Sequence, residues 1–294
     1  MKSLLCILGI FTFLACSDGV SKDRNEWSDV SSWASFLPTT MEHQYNADSE
    51  YAVGGITEEQ FTVLVDEIER IYQPIFKGVG MELVFERKYY DPVINAYVNF
   101  ESGVATVSLF GGLAKHKLMT PDSYALVIVH EIGHVLGGRV RYPNSWASAE
   151  GASDSYATQV GARKVFSEIS GGCNCGFLPT SSYEGNYKRQ LQACEKFNTI
   201  DERTVCERTL KGSLELAAIL ADLGGEKIPT LATMDRTIAR KTQYEHPKSA
   251  CRLSAYFDGA MSDKRWDDTV IPLTKAQQWR YSAVDRANCW YAGN

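Results

Sequence analysis

The sequence predicts an α+β fold, with a small sheet near its beginning and helices through most of the remainder. Three observations support this prediction. Residues 94–100 and 104–109 are typical of two strands joined by a Glu-Ser-Gly turn, and the second of them alternates apolar and polar side chains. Residues 57–77 place apolar side chains at helical spacing. Beyond Cys173 most of the chain has helical patterning.

Helix boundaries follow from the capping residues. Thr57 precedes two glutamates, which are favoured in a first helical turn, and residues 81–85 are typical of a strand that follows this helix. A second helix begins at Thr120-Pro121 and ends at Gly137; because it is apolar on nearly every side, we expect it to be buried. The later helices are predicted over about 147–169, 187–197, 201–223, 231–242, 248–261 and 274–290.

The chain of 294 residues is long enough for one large domain or two modest lobes, and its hydrophobic share of 44% is ordinary for a globular protein. We expect a first lobe over 37–170, which holds the sheet, and a cysteine-rich helical lobe over 171–294. The net charge is −6 and no run of Lys or Arg occurs, so nucleic acid is excluded as a partner. The sequence does not indicate an oligomeric state.

The first residues are typical of an export signal. Residues 4–14 form an apolar stretch that is shorter than the roughly 20 residues of a membrane span but suits a secretory signal. The ending Phe-Leu-Ala-Cys16 resembles a bacterial lipobox, which implies a signal peptide over 1–15 and a lipid on Cys16; a plain signal peptide cut nearby is the alternative. We therefore expect a membrane-anchored lipoprotein of the bacterial cell envelope, with Ser17 favouring the outer membrane and a polar tether over 16–36.

Six of the eight cysteines remain once Cys6 and Cys16 are assigned to the signal peptide and the lipid. Export places them in an oxidising compartment, so we expect three disulfides, whose pairing the sequence leaves open. A cysteine-rich second metal site is the alternative. Two of the six are too close together in sequence to bond comfortably with each other, namely Cys173 and Cys175. The other four are Cys194, Cys206, Cys251 and Cys289.

The residues that indicate chemistry lie in His130-Glu131-Ile-Gly-His134, an HExxH motif on the buried helix. Residues four apart share one helix face, so both imidazoles can point at one metal ion. Two histidines and a glutamate among Val, Ile and Leu would be costly without a partner that uses them, which argues against a chance pentapeptide. We therefore predict one zinc ion per chain, with Glu131 as general base beside the open coordination position.

A third ligand is expected on the next helix. A metzincin would place a histidine at position 140, which is Val140, so that class is excluded. Glu150 lies 16 residues after His134 and is the candidate. Asp154 follows four residues later on the same face, where it can accept the free N–H of a ligand histidine. A solvated acidic helix face is the alternative interpretation.

This pattern resembles the gluzincin metallopeptidases, in particular metallopeptidase family forty-eight, which includes the CAAX prenyl endopeptidase and related bacterial membrane proteases. The resemblance implies a zincin-like catalytic lobe and a zinc endopeptidase whose edge strand, residues 104–109, pairs with an extended substrate backbone. The gap from the second histidine to Glu150 is shorter than in that family and no transmembrane helix flanks the site, so prenylated substrates are not carried over. The matching features lie within about residues 90–166: Asn95-Ala96, Val104–Phe110, Gly111-Gly112-Leu113, the HExxH motif and the helix with Glu150 and Asp154.

A zinc peptidase also offers a donor to the oxyanion of the transition state. His246 is the candidate, because it precedes a predicted helix and lies near Cys251, which would hold the segment in place. Tyr244 is a second candidate for the role, and a surface histidine in a loop is the alternative interpretation. His43 and His116 have no supporting context and are expected at the surface.

The sequence thus predicts a zinc-dependent endopeptidase that acts on a peptide or protein substrate. Activated water would attack a peptide carbonyl while Glu131 takes the proton of that water. Two alternatives stay open. A non-catalytic zinc-binding envelope chaperone or binding module would keep the fold without cutting, although the intact glutamate counts against it. A zinc hydrolase of a non-peptide amide, such as a cell-wall crosslink, has no peptidoglycan-binding module in the sequence to support it.

Overall fold

A computed structural model describes residues 33–39, 54–137, 140–169, 192–262 and 287–293. Within these residues the protein is a mixed α+β structure with a small four-stranded sheet and a mostly helical remainder, as the sequence predicts. None of the helices in this part of the chain is both long enough and apolar enough to cross a membrane. The predicted signal peptide, the lipid site Cys16 and residues 16–32 of the predicted tether lie outside the described residues. The end of the tether prediction is wrong, because Trp33–Ser35 form a strand of the sheet and Phe36 is completely buried.

Four strands and seven α-helices make up the described elements. The strands are β1 Trp33–Ser35, β2 Glu82–Lys88, β3 Ala96–Glu101 and β4 Val104–Phe110. The helices are α1 Glu58–Gly78, α2 Gly111–Ala114, α3 Pro121–Leu136, α4 Glu150–Tyr156, α5 Ala162–Ile169, α6 Ile200–Gly224 and α7 Ser249–Met261. A π-helical turn, Ala157–Gly161, joins α4 to α5, and a 3-10 turn covers Gln192–Lys196.

The sheet has the strand order β1-β3-β4-β2. The predicted hairpin is present as the antiparallel pair β3 and β4, and β2 runs parallel to the other side of β4. The prediction that residues 104–109 form an edge strand is therefore wrong, because β4 has a hydrogen-bonded neighbour on each side. The short strand β1 pairs antiparallel with the outer side of β3 and forms one edge of the sheet.

Helix α3 lies at the centre of the core. It contacts α1, β3 and β4 on the sheet side and α6 on another, so the prediction of a helix buried all round is confirmed. A capping box fixes its start, since the Thr120 hydroxyl accepts the N–H of Ser123 and the Ser123 hydroxyl accepts the N–H of Thr120. The same motif begins α1, where Thr57 and Gln60 exchange hydrogen bonds.

Two later segments differ from the prediction. Residues 231–242 form turns and irregular backbone rather than a helix, because their N–H groups bond to other parts of the chain: Asp235 donates to the Ala250 carbonyl and Ala239 to the Asn288 carbonyl. Residues 287–290, the end of another predicted helix, form a turn. The predicted helix over 147–169 begins at Glu150 and contains the π-helical turn.

Two disulfides brace the described part of the C-terminal half. Cys194 bonds Cys206, which ties the 3-10 turn to the start of α6. Cys251 bonds Cys289, which ties the start of α7 to residues 287–293. The expectation of disulfides is thus confirmed for four cysteines, whereas Cys173 and Cys175 lie outside the described residues.

His116 is fully buried, so the expectation that it lies at the surface is wrong. Its Nδ1 accepts the N–H of Leu118 at 3.2 Å, and its Nε2 lies 3.2 Å from Asp222 Oδ2. The acceptor role of Nδ1 requires a neutral ring. Burial lowers the pKa of His116 and outweighs the opposing effect of Asp222. The other isolated histidine, His43, lies outside the described residues.

We predict that His116 makes the protein less stable as the pH falls. Its pKa is lower in the folded chain than in the unfolded chain, so below about pH 6.5 the unfolded chain binds a proton that the folded chain does not. The free energy of unfolding should therefore fall from pH 7 to pH 5, and the fall should be smaller for His116→Asn, which keeps an acceptor without titrating. Chemical denaturation at several pH values measures the free energy of unfolding. An equal change of this free energy with pH in the wild-type and His116→Asn proteins would contradict the prediction.

Candidate metal centre

Helix α3 and the first residue of α4 bring three potential ligands together. His130 and His134 lie on one face of α3, and neither is exposed to solvent. Glu150 Oε2 lies 3.2 Å from His130 Nε2, and Glu150 Oε1 lies 3.4 Å from His134 Nε2. One donor atom from each residue lies within 4.8 Å of the others, so these three residues could hold a metal ion.

The loop between α3 and α4 determines how Glu150 reaches the histidines. The Ser148 N–H donates to the His134 carbonyl at 2.8 Å, and the Ala149 N–H donates to the Val140 carbonyl at 2.7 Å. The chain thus folds back directly onto the end of α3. This return explains how a gap of 16 residues between His134 and Glu150 is sufficient.

Close packing of α4 on α3 depends on Gly133, inside the HExxH motif. A Cβ atom at this position would lie 3.1 Å from Tyr156 Cδ1 and 3.2 Å from the Ser153 Cα atom. A glycine therefore lets the two helix backbones approach, which places the α4 carboxylate over the α3 histidines.

The orientation of the three groups fits a metal better than it fits hydrogen bonding. His130 Nε2, His134 Nε2 and Glu150 Oε2 are buried and have no hydrogen-bond partner, although they lie close together. Such unpaired buried atoms are costly unless another group uses their lone pairs. Metal–ligand distances of about 2.0–2.1 Å in a tetrahedron place the ligand atoms roughly 3.3 Å apart. The Glu150 oxygens lie at similar distances, 3.2 and 3.4 Å, from the Nε2 atoms of the two histidines.

The Nδ1 atom of each histidine has a hydrogen-bond partner in the protein. His130 Nδ1 lies 2.8 Å from Asp154 Oδ1, where the sequence analysis places an acceptor for a ligand histidine. His134 Nδ1 donates to the Ser148 carbonyl at 2.7 Å. A proton held on Nδ1 leaves the Nε2 lone pair directed at the site, which is how bound histidines are usually oriented.

Arg252, on α7, is a residue that the sequence analysis missed. It is almost fully buried and forms a two-point ion pair with Asp154, with Nη2 2.7 Å from Oδ1 and Nε 2.9 Å from Oδ2. Nη1 donates to the Phe36 carbonyl at 2.8 Å. The available signal was an arginine directly after bridged Cys251, within an otherwise apolar helix segment.

Glu131 has the surroundings of a group that can accept and return a proton. Its side chain is completely buried, and neither carboxylate oxygen has a hydrogen-bond partner in the described structure. Burial raises the pKa of Glu131 to about 8, with Glu150 adding to the rise and His130 and Arg252 opposing it. A carboxyl group whose pKa is near neutrality is suited to general acid–base catalysis.

The surroundings shift the pKa values of the two histidines in opposite directions and keep the two nearby carboxylates ionised. Burial lowers the pKa of His130, but the hydrogen bond with Asp154 and the negative charges of Asp154 and Glu150 outweigh it and raise the pKa to about 9. Burial lowers the pKa of His134 to about 4. The pKa values of Glu150 and Asp154 are lowered despite burial, because of nearby histidines for the former and Arg252 for the latter. Both carboxylates are therefore ionised at neutral pH.

Two further side chains contact Glu150. The Tyr142 hydroxyl donates to Glu150 Oε1 at 2.7 Å, and its ring stacks on His134 with centroids 6.4 Å apart. His246 Nε2 lies 3.5 Å from the same oxygen and donates to the Ser35 carbonyl at 2.8 Å. The structure thus places the predicted donor His246 beside the centre, while Tyr244 is exposed. Tyr142 was missed because it lies in a loop with no motif.

Comparisons with protein-family models, with curated proteins and with solved structures gave no match. A function for this protein is therefore inferred from the chemistry of the centre alone.

We predict that Asp154 and Arg252 contribute to the centre as a pair. Asp154→Asn should weaken zinc affinity roughly 10- to 100-fold, because the histidine loses its charged acceptor. Arg252→Met should cost about 3–5 kcal/mol of folding stability, since it leaves a buried carboxylate without its cation. In the double variant, the loss of folding stability should be smaller than the sum of the losses in the two single variants, because neither buried charge is left without its partner.

Zinc competition with a chromophoric chelator and denaturant unfolding measure these two effects. The matched control is Arg236→Met, which removes an exposed ion pair with Asp258, a residue of α7. This substitution should cost less than about 1 kcal/mol of folding stability. Additive losses in the Asp154 and Arg252 variants would contradict the prediction.

Proposed function

We propose that the protein is a zinc-dependent metallopeptidase, and more specifically an endopeptidase of the zincin-like, gluzincin type. The observation that supports this most directly is the convergence of His130 Nε2, His134 Nε2 and Glu150 Oε2, all buried and without hydrogen-bond partners, beside the unpartnered carboxyl of Glu131. A site built only for structural zinc is usually closed by four protein ligands. Two histidines and one glutamate leave a position for a reactant.

The choice of zinc follows from the donor set. Two imidazoles and one carboxylate are typical of catalytic zinc, whereas calcium and magnesium prefer sets made of oxygen atoms alone. When bound, zinc lowers the pKa of water and polarises a carbonyl group.

The residues of the chain have separate roles in the proposed reaction. Glu131 would take the proton from the attacking water and pass it to the departing amine, and burial, which raises its pKa, would help it to hold the proton between these two steps. His246 and Tyr142 each carry a donor near Glu150, so either can stabilise the negative charge that develops on the carbonyl oxygen. Asp154 and Arg252 hold His130 in position.

The proposal places the protein in the bacterial cell envelope, anchored through a lipid on Cys16, with a peptide or protein as substrate. The disulfides Cys194–Cys206 and Cys251–Cys289 support an oxidising location.

A zinc-binding chaperone or binding module is a second candidate, because one observation favours it: Glu131 and all three ligand candidates are at most 1% exposed. Such burial restricts the approach of a substrate carbonyl to these residues. The two candidates differ in what they predict for Glu131, since a binding module has no need of a general base.

We predict that Glu131→Gln abolishes cleavage of a mixed peptide library by the soluble chain, residues 17–294, while zinc binding is kept. Loss of the general base should lower the rate by about 10²- to 10⁴-fold. Glu150→Ala should instead lose zinc, and Glu59→Gln, at an exposed residue of α1, should change neither property.

Mass spectrometry of the cut peptides and metal analysis measure the two properties. Cuts by the wild-type protein should stop on chelation and return with zinc. Equal cleavage by the wild-type and Glu131→Gln proteins would contradict a metallopeptidase. Zinc-loaded wild-type protein that cuts nothing would favour the binding module.

A further inference from the structure

The outer edge of β3 is occupied by a short stretch of the chain, Trp33–Leu37, which we call the N-terminal segment. Its first three residues form β1 and pair antiparallel with β3, with Trp33 opposite Asn99 and Ser35 opposite Tyr97. The pairing continues beyond β1, since the Phe36 N–H donates to the Ala96 carbonyl at 3.0 Å. The segment is therefore bound along its backbone, in the way that an added strand binds to a sheet edge.

Side chains of the metal centre bind the same backbone. His246 donates to the Ser35 carbonyl at 2.8 Å, and Arg252 donates to the Phe36 carbonyl at 2.8 Å. The Leu37 backbone exchanges two hydrogen bonds with the Asn95 side chain, at 2.9 and 3.2 Å. Three consecutive carbonyl groups thus accept hydrogen bonds from side chains.

One of these donors and one ring of the segment also contact the candidate ligands. His246 Nε2 is 3.5 Å from Glu150 Oε1, so the Ser35 carbonyl and Glu150 flank one ring nitrogen. The Phe36 ring packs edge-on against the His130 ring, with centroids 5.2 Å apart. The segment therefore passes directly beside the centre.

Backbone contacts of this kind do not depend on sequence, so another extended peptide could make them. The side chains add a preference: Phe36 and Leu37 are completely buried, whereas the preceding Ala34 and Ser35 are small. The carbonyl held by His246 belongs to Ser35, so the bond from Ser35 to Phe36 is the nearest counterpart of a substrate bond. Its pattern is a small residue followed by large apolar residues.

We propose that the outer edge of β3 is the peptide-binding edge of the centre and that Trp33–Leu37 occupies it in cis. The occupied form is inactive, and cleavage comes from the fraction of molecules in which this segment has left the edge. This inference rests on the proposed peptidase function. The substrate class is an extended peptide with a small residue before the cut and a large apolar residue after it. The Phe36 ring of the N-terminal segment packs on His130, so occupancy of the edge contributes to the burial of the candidate ligands.

Attachment to the same chain makes the segment an effective competitor. A short covalent connection gives a local concentration on the order of millimolar, so a free peptide of similar affinity competes poorly. Departure of the segment would free the backbone groups of β3 and the donors of His246 and Arg252 together.

A reversible crosslink tests the inference. Trp33 and Asn99 are directly opposed across β1 and β3, and opposed residues of an antiparallel pair lie at a Cα separation suited to a disulfide. In the soluble chain carrying Trp33→Cys and Asn99→Cys, oxidation should reduce peptide cleavage at least about 10-fold, and mild reductant should restore it. Wild-type protein treated with the same reductant controls for any effect on the native disulfides.

A second measurement on the same protein keeps the two proposals separate. Removal of zinc by a chelator should be slower in the crosslinked form than in the reduced form, and this rate does not depend on peptidase activity. Equal chelation rates and equal cleavage in the two forms would overturn the inference. Slower chelation in the crosslinked form, with no cleavage by either form, would support the covering segment and count against the peptidase.

The peptide library gives the substrate class. Cuts by the reduced protein should fall before Phe, Leu or residues of similar size, and the peptide Trp-Ala-Ser-Phe-Leu-Pro should inhibit the reduced form more than its analogue with Asp in place of Phe. Cuts that concentrate before charged residues would overturn the assignment of the edge.

Discussion

The buried ion pair of Arg252 and Asp154 is the interaction on which the arrangement of the centre depends. Three parts of the chain that are far apart in sequence meet at it. Asp154 holds His130 on α3, while Arg252 extends from α7 to the carbonyl of Phe36. A buried pair of this kind adds little to stability compared with apolar packing, but breaking it leaves an uncompensated charge. Its position therefore matters more than its energy.

The local elements of the site were predictable, and the long-range ones were not. The HExxH helix followed from spacing and capping residues, and Glu150 and Asp154 from their position on the next helix. Strand order depends instead on which backbones pair across the fold. The sequence did not indicate that β2 pairs with β4, so β4 was wrongly predicted to be an edge strand. The role of Arg252 was hidden for the same reason, because its partners lie about 100 residues or more away in sequence.

The centre combines two properties that are in tension. Burial raises the pKa of Glu131, which would favour the proposed proton transfer, yet the same burial would restrict the approach of a substrate. Displacement of the N-terminal segment, as proposed, would reconcile burial with access, because an incoming peptide could form the low-dielectric surroundings again. The side chains that bind the segment would then bind the peptide in the same way.

The disulfide between Cys251 and Cys289 has a consequence for where the centre can form. It fixes the residue before Arg252, and the Trp290 ring next to Cys289 packs so closely over the start of α4 that a Cβ atom on Gly151 would lie 2.3 Å from it. In a protein exported as proposed, this bond closes only after the chain leaves the reducing cytoplasm. Translocation would then precede completion of the centre, so that the proposed hydrolase would become active only outside the cytoplasm.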